Sequence, residues 1–401
     1  MQKKTNKKLL IGMLFLVTAA SILFAWKVLL PKEAIVLDQT NKTLVVKGDV
    51  KIKRALAGSA WQKMDTSTIL EKGDIVETAK GSTVDIVMGR DTDKTVKIDE
   101  KSQLEVQEIN PAYLNLSKGK IFVALKKFEP RSSFTVKTPT AICGAQGTAW
   151  SETVTDGKTK VCVFESKIFA RELDESGRPG FMKHTVNEGT QRTLLKGKPI
   201  SEPQKLSDAD LDEWKYWSKN VEYLRDGKIL INDFSRKENF NNLKGPFGSW
   251  VVFYSDANQY CRDEFTAFEN RGETGYGLKL TYDVDSPFSA YNGFFTNLMG
   301  IDLTGYKCFV FYTKGDKRSG FTTRINVELK NKFEIGKLEV TGITDEWQKI
   351  VLPLEKFVGL KNLQNMKELV IVFRDLSATK KEGVMYIDDL YFSRNEESET
   401  T

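Results

Sequence analysis

From Ala34 to about Ile200 the chain alternates short apolar runs with Gly, Asp and Asn, a spacing that predicts an all-β domain. Within "SSFTVKT" and "KTKVCVFESKIFARE" the faces alternate, as at Phe134 and Val136 or Val161, Val163 and Glu165. Asp156-Gly157 sits between two such runs and signals a two-residue hairpin. If Thr155 faces Lys158 there, Cys162 faces Ser151 and Trp150 faces Val163. Over 203–226 the period becomes helical, with Leu211, Trp214, Trp217, Val221 and Leu224 on one stripe, Ser207 as N-cap, and Asp208, Asp210 and Asp212 early. This reads as a helical connector whose tryptophans dock on a neighbouring domain. Alternation returns over 227–394 in at least seven runs, among them "GYGLKLTYDV", "TTRINVELK" and "ELVIVFRD", the pattern of a β-sandwich. Residues 395–401 carry no apolar side chain and are expected to be disordered. The expected architecture is therefore mainly β, with domains at 34–202 and 227–394.

The N-terminal stretch has a different character. Leu9 to Trp26 carries no charge, and a helix continued to Leu30 would span roughly 33 Å, enough for a bilayer core. Lysines at positions 3, 4, 7 and 8 precede it, so the positive-inside rule predicts a cytoplasmic tail at 1–8, a signal-anchor helix at 9–30, and an exported remainder. Thr18 to Ser21 also resembles a cleavage region, so a removed signal peptide is the alternative.

Composition narrows the function. The chain has 401 residues, 40% hydrophobic and 28% charged, as in soluble globular domains. Its formal charge of +6 falls close to neutrality once the anchor's lysines are set aside, which argues against binding a nucleic-acid backbone. The four cysteines, Cys143, Cys162, Cys261 and Cys308, form no metal-type spacing and there is one histidine. In an oxidising compartment, Cys143 with Cys162 and Cys261 with Cys308 is the local pairing, one of three possible sets. His184 has no nucleophile motif beside it, and 54 acids make chance carboxylate pairs inevitable. No catalytic residue is assigned.

In "TPTAICGAQGTAW" (138–150), Gly144 and Gly147 are expected to permit a positive φ or a close backbone approach. No Lys-Ser/Thr pair or helical pattern follows, so it is not a phosphate cradle. With "GDVKIKR", "LEKGDIVET", "LNLSKGKIFVAL" and "VNEGTQRTL" in order around it, the stretch closely resembles the signature of the FecR-type extracytoplasmic domain over about 40–200. The resemblance implies an all-β interaction or scaffold module. Relatives of that type relay signals to a cytoplasmic sigma factor, which the short tail here could support only through a partner chain.

The second half, through "ILINDFS", "IDLTGYKCFVFYTKGD", "WQKIVLPLEKF" and "MYIDDLYF", resembles carbohydrate-binding-module-like or galactose-binding-like jelly rolls. That resemblance implies sugars held on aromatic platforms. The candidates are Trp250, Tyr254, Tyr260 and Tyr291, with Asn258, Gln259, Arg262 and Asn292 as polar readers; packing of these aromatics into the core is the alternative. It also implies a structural Ca²⁺, for which Asp233, Asp388 and Asp389 are the candidates, although Ser235 stands where an acid is frequent. The sequence thus suggests a non-enzymatic, membrane-anchored, periplasmic or extracellular protein. Its expected partner is a glycan or envelope component; the alternatives are FecR-like signalling through a partner chain and protein–protein assembly.

Overall fold

The computed structural model describes residues 42–55, 60–89, 93–126, 134–145, 147–272 and 275–398. The expected tail and signal-anchor helix at 1–30 lie outside these residues. Among the described residues no helix is long and apolar enough to cross a membrane.

The described chain is mainly β, and almost every strand pairing is antiparallel; the pairing of Ala112–Leu125 with Phe134–Lys137 is parallel. In the first half, alternate residues of Lys94–Ile98, Ala112–Leu125, Ala149–Thr155 and Lys158–Glu165 send Val96, Ile121, Val123, Trp150 and Val163 into one core. The hairpin at Asp156-Gly157 has positive φ at both positions, 47° and 72°, the geometry a two-residue turn between twisted strands requires. Its register pairs Thr155 with Lys158, Ser151 with Cys162 and Trp150 with Val163.

The two glycines of the central stretch differ in role. Gly147 has φ 68°. At Gly144 a Cβ would lie 2.3 Å from Cζ of Phe169, so close packing excludes a side chain there. Between them this stretch lays Cys143 against Glu152, a fully buried carboxylic acid whose Oε1 accepts the Trp150 indole N–H at 2.9 Å. Burial pushes Glu152 up to about 8, and the same burial with the acid beside it raises the Cys143 thiol.

The helix occupies Asp208–Arg225, with the Ser207 hydroxyl accepting the Asp210 N–H at 3.2 Å. It lies across the outward face of the first half's sheet. Trp217 and Val221 pack there with Phe122, Ala124, Ala149, Cys162 and Phe164, and Trp214 stacks on Phe164 at 4.9 Å. Trp217 also donates its indole N–H to the buried Asp85 at 2.7 Å.

The second half is a two-sheet sandwich. One sheet runs Phe247–Val251, Tyr291–Ile301, Met366–Arg374, Arg324–Lys330, Ile335–Thr341. The other runs Tyr260–Thr266, Gly277–Asp283, Glu382–Ser393, Cys308–Gly315, Gln348–Pro353, with Lys228–Asn232 also on Glu382–Ser393.

The halves share a core: Leu44, Val45 and Val87 pack with Leu224, Ile229, Leu298, Ile301 and Tyr306. Polar ties reinforce the joint. Arg394 Nη2 donates to the carbonyls of Thr43 at 3.0 Å and Thr66 at 2.7 Å, and the Tyr306 hydroxyl to that of Leu44 at 2.9 Å. Residues 42–398 therefore belong to one compact unit rather than two beads on a helical linker.

Two expectations are corrected. The four thiols are free, and each expected pair is split between cores. Cys143 packs with Val136 and Trp150 while Cys162 packs with Phe164 and Trp217, and Cys261 and Cys308 are likewise in different clusters. Strand alternation sends the members of each pair to opposite sides of a sheet. Within the tail, Glu396 and Glu397 form ion pairs rather than standing free in solvent. There Glu397 meets Lys349 at 2.6 Å and Lys228 at 3.0 Å with only 10% of its side chain exposed, so ion pairing holds a segment that has no apolar anchor.

Candidate functional site

Alternation in the Phe247–Thr341 sheet decides what faces solvent. Phe247, Phe294, Leu298, Ile325, Val327, Leu329, Leu369, Ile371 and Phe373 point into the shared core, so their neighbours along each strand point out. The pairings arrange those outward residues in rows. One row is Tyr291 opposite Arg374. The next is Trp250, Gly293, Val372, Asn326 and Glu339; the third is Gly248, Phe295, Val370, Glu328 and Lys337.

The face is divided by chemistry. On one side Trp250 and Tyr291, both half-buried, meet edge-on with ring centroids 5.9 Å apart, and Phe295 lies two residues along from Gly293. At Gly293 a Cβ would fall 1.9 Å from the Ile371 carbonyl oxygen, so no side chain fits there, and the glycine itself is buried. Val370 and Val372, each 1% exposed, lie buried beneath the face. On the other side are Arg374, Asn326, Glu328 and the lysines of the edge. The Arg374 guanidinium lies 5.5 Å from the Tyr291 ring centre and is held by Glu328 Oε1 at 3.4 Å. Planar rings and fixed polar groups suit a ligand with one apolar face and a polar edge.

Of the residues singled out in the sequence, Trp250 and Tyr291 come together here. Tyr260 and Arg262 lie on the other sheet, with the guanidinium 4.9 Å from the Tyr260 ring centre. Tyr254 is 86% exposed in the loop after Val251. Asn258 and Gln259 are engaged within that loop by Asp256, at 3.2 Å and 2.9 Å. Asn292 points inward, fully buried, and donates to the Asp283 carbonyl at 2.6 Å. Gln259 and Asn292 are thus corrected from surface readers to internal ties, because burial and strand alternation remove them from the face. The sequence reading missed Phe295, Arg374, Asn326 and Glu328. Their outward positions are legible from alternation in "NGFF", "VIVFR" and "INVEL", but their adjacency requires the strand order.

Asp233, Asp388 and Asp389 also come together, but amid hydrogen-bond donors. Lys219 Nζ lies 3.1 Å from Asp233 Oδ2, and Arg271 Nη1 lies 2.6 Å from Asp389 Oδ2. The backbone N–H groups of Arg271 and Asp389 donate to the two oxygens of Asp388 at 3.0 Å and 2.8 Å. Burial raises Asp388 to about 7, with Asp389 and Asp233 adding to the effect. Protein cations stand against Asp233 and Asp389 and backbone N–H donors against both oxygens of Asp388, so the set does not fit Ca²⁺. Among the described residues no group of three His, Cys, Asp or Glu side chains is arranged to hold a metal ion.

Comparison with known proteins gives one family: the model described as "FecR protein" matches residues 74–169. No curated protein matches the chain. Among solved structures, the family 11 carbohydrate-binding module of the cellulosomal cellulase Lic26A-Cel5E of Clostridium thermocellum is 17% identical, with 43% of this chain and 96% of that chain covered and a TM-score of 0.32. A candidate anti-sigma factor from Parabacteroides distasonis is 11% identical, with 40% of this chain and 68% of that chain covered and a TM-score of 0.29. The CBM22-1 xylan-binding domain of Paenibacillus barcinonensis Xyn10C is 13% identical, with 41% of this chain and 93% of that chain covered and a TM-score of 0.27.

Proposed function

We propose that this chain is a non-enzymatic, membrane-anchored protein of the cell envelope that holds a glycan on the outward face of its second half. Its FecR-type half then serves as the scaffold, and the apolar segment Leu9–Trp26 as the anchor in the cytoplasmic membrane. The observation that carries the reading is the pairing of Trp250 and Tyr291, with Arg374 and Asn326 beside them on the same outward side of the sheet. A pyranose ring presents a C–H face that stacks on aromatics and an equatorial rim of hydroxyls that hydrogen-bond to polar side chains. The FecR-type half meets this sheet near Ile301, which pairs with Lys47. Tyr291 is ten residues away along the same strand, on the order of 30 Å, so the scaffold leaves the aromatic end of the face free for a polymer.

A glycan array probed with the full chain in detergent tests this reading. Binding to a defined set of glycans is expected, with at least about tenfold loss for Tyr291→Ala. Unchanged binding by that variant would move the site elsewhere. A second reading, signalling through a partner chain, rests on the FecR match at 74–169. Co-purification of a membrane regulator from the native envelope, undiminished by Tyr291→Ala, would favour it.

A further inference from the structure

The glycan reading leaves the charge of the ligand open, and the face itself bears on it. Glu328, 7% exposed, is the carboxylate at the centre of the polar side. Three cations share it: Lys337 at 3.3 Å, Arg374 at 3.4 Å and Lys330 at 3.7 Å. Lys330 has a second partner in Glu368 at 3.2 Å, whereas Arg374 and Lys337 have only Glu328 among the described residues.

Arg324 adds a cation to a face whose exposed acid is Glu339, opposite Asn326. Arg324 lies on the same strand and the same outward face as Asn326, and continues the register one step past the pairing of Asn326 with Val372, towards Arg374. It is exposed, and among the described residues no carboxylate stands within ion-pair distance of it. Asp375, next to Arg374 in the chain, does not neutralise either guanidinium. Its oxygens accept the N–H groups of Ala290 at 3.2 Å and Leu376 at 2.8 Å. Two arginines with donor capacity to spare therefore flank the Tyr291 end of the aromatic platform. A planar guanidinium matches a carboxylate in two-pronged geometry with an opposite charge, whereas the hydroxyl oxygens of a neutral sugar accept from it without that charge.

We propose that the face recognises an acidic glycan of the uronate class, with the sugar ring on Trp250 and Tyr291 and its carboxylate received by Arg324 and Arg374. The inference rests on the glycan reading above, and its test separates the two. Affinity electrophoresis of the full chain in detergent is run through gels containing polygalacturonate, hydroxyethylcellulose or dextran sulfate, for the wild type, Arg324→Gln and Tyr291→Ala. Arg324→Gln removes an exposed charge with no partner to orphan, so it is expected to fold.

The expected result is retardation by polygalacturonate, weakened about tenfold in Arg324→Gln, since one charge-assisted contact is worth roughly that factor, and about tenfold in Tyr291→Ala, which loses the stacking ring. Weaker or no retardation by hydroxyethylcellulose is expected alongside it. Equal or stronger retardation by the neutral polymer, or indifference to Arg324→Gln, would overturn the acidic preference and leave the glycan site standing. Retardation by dextran sulfate as strong as by polygalacturonate and insensitive to Tyr291→Ala would mark a generic polyanion effect and also overturn it. Passage through all three gels unhindered would overturn the glycan reading together with this one.

Discussion

Glu152→Gln is expected to stabilise the protein by on the order of 4 kcal/mol at pH 8 and to change little at pH 4. Glu152 is fully buried, and its acidity in the folded chain is displaced from the ordinary value of 4.5 to about 8 by loss of solvation. Below 4.5 both folded and unfolded chains hold the proton, so the group costs nothing. Between 4.5 and 8 the unfolded chain releases it while the folded chain keeps it, so stability falls as pH rises across that window. Glutamine keeps an oxygen for the Trp150 indole and carries no ionisable group. Urea unfolding of both proteins from pH 4 to pH 8 checks this; parallel curves for the two would show that Glu152 ionises in the folded core without penalty.

Trp217→Ala is expected to cost about 3–5 kcal/mol. The ring fills the space between helix and sheet beside Phe122 at 5.6 Å and Trp214 at 5.7 Å. Its removal also leaves Asp85, whose acidity burial shifts to about 6, without the indole N–H that favours its charged form. Because Leu224 of the same helix sits in the core shared by both halves, loosening the helix reaches the sandwich. Trp217→Phe, which retains most of the packing, should lose less than half as much. Chemical denaturation of the three proteins measures the difference; equal costs for Ala and Phe would assign the whole effect to the hydrogen bond.

Local chemistry was the legible part of this sequence. The Asp156-Gly157 turn fixed a register, and Ser207 with its acidic first turn marked a helix start, because each depends on residues a few positions apart. The Trp250–Tyr291 contact could be anticipated as a pair of candidates but not as neighbours, since it follows from strand order. Longer-range facts were hidden. Nothing near Leu44 announces that it packs with Tyr306, or that Arg394 will cap the carbonyl of Thr43, 351 positions away. The split cysteine pairs illustrate the same limit: proximity in sequence says little when alternation sends two thiols to opposite faces of a sheet. Composition misled at the tail, where Glu397 is held by Lys228 and Lys349 rather than by burial of apolar surface.

The central claim is that Trp250 lies under the ligand, and its own fluorescence tests that most directly. Titration of the full chain in detergent with a glycan that it binds is expected to give a saturable change in tryptophan emission. The change should vanish in Trp250→Phe, which keeps an aromatic platform and binds within about tenfold of the wild type. Persistence of the full emission change in Trp250→Phe would show that the ligand sits against another tryptophan, and the proposed face would be wrong.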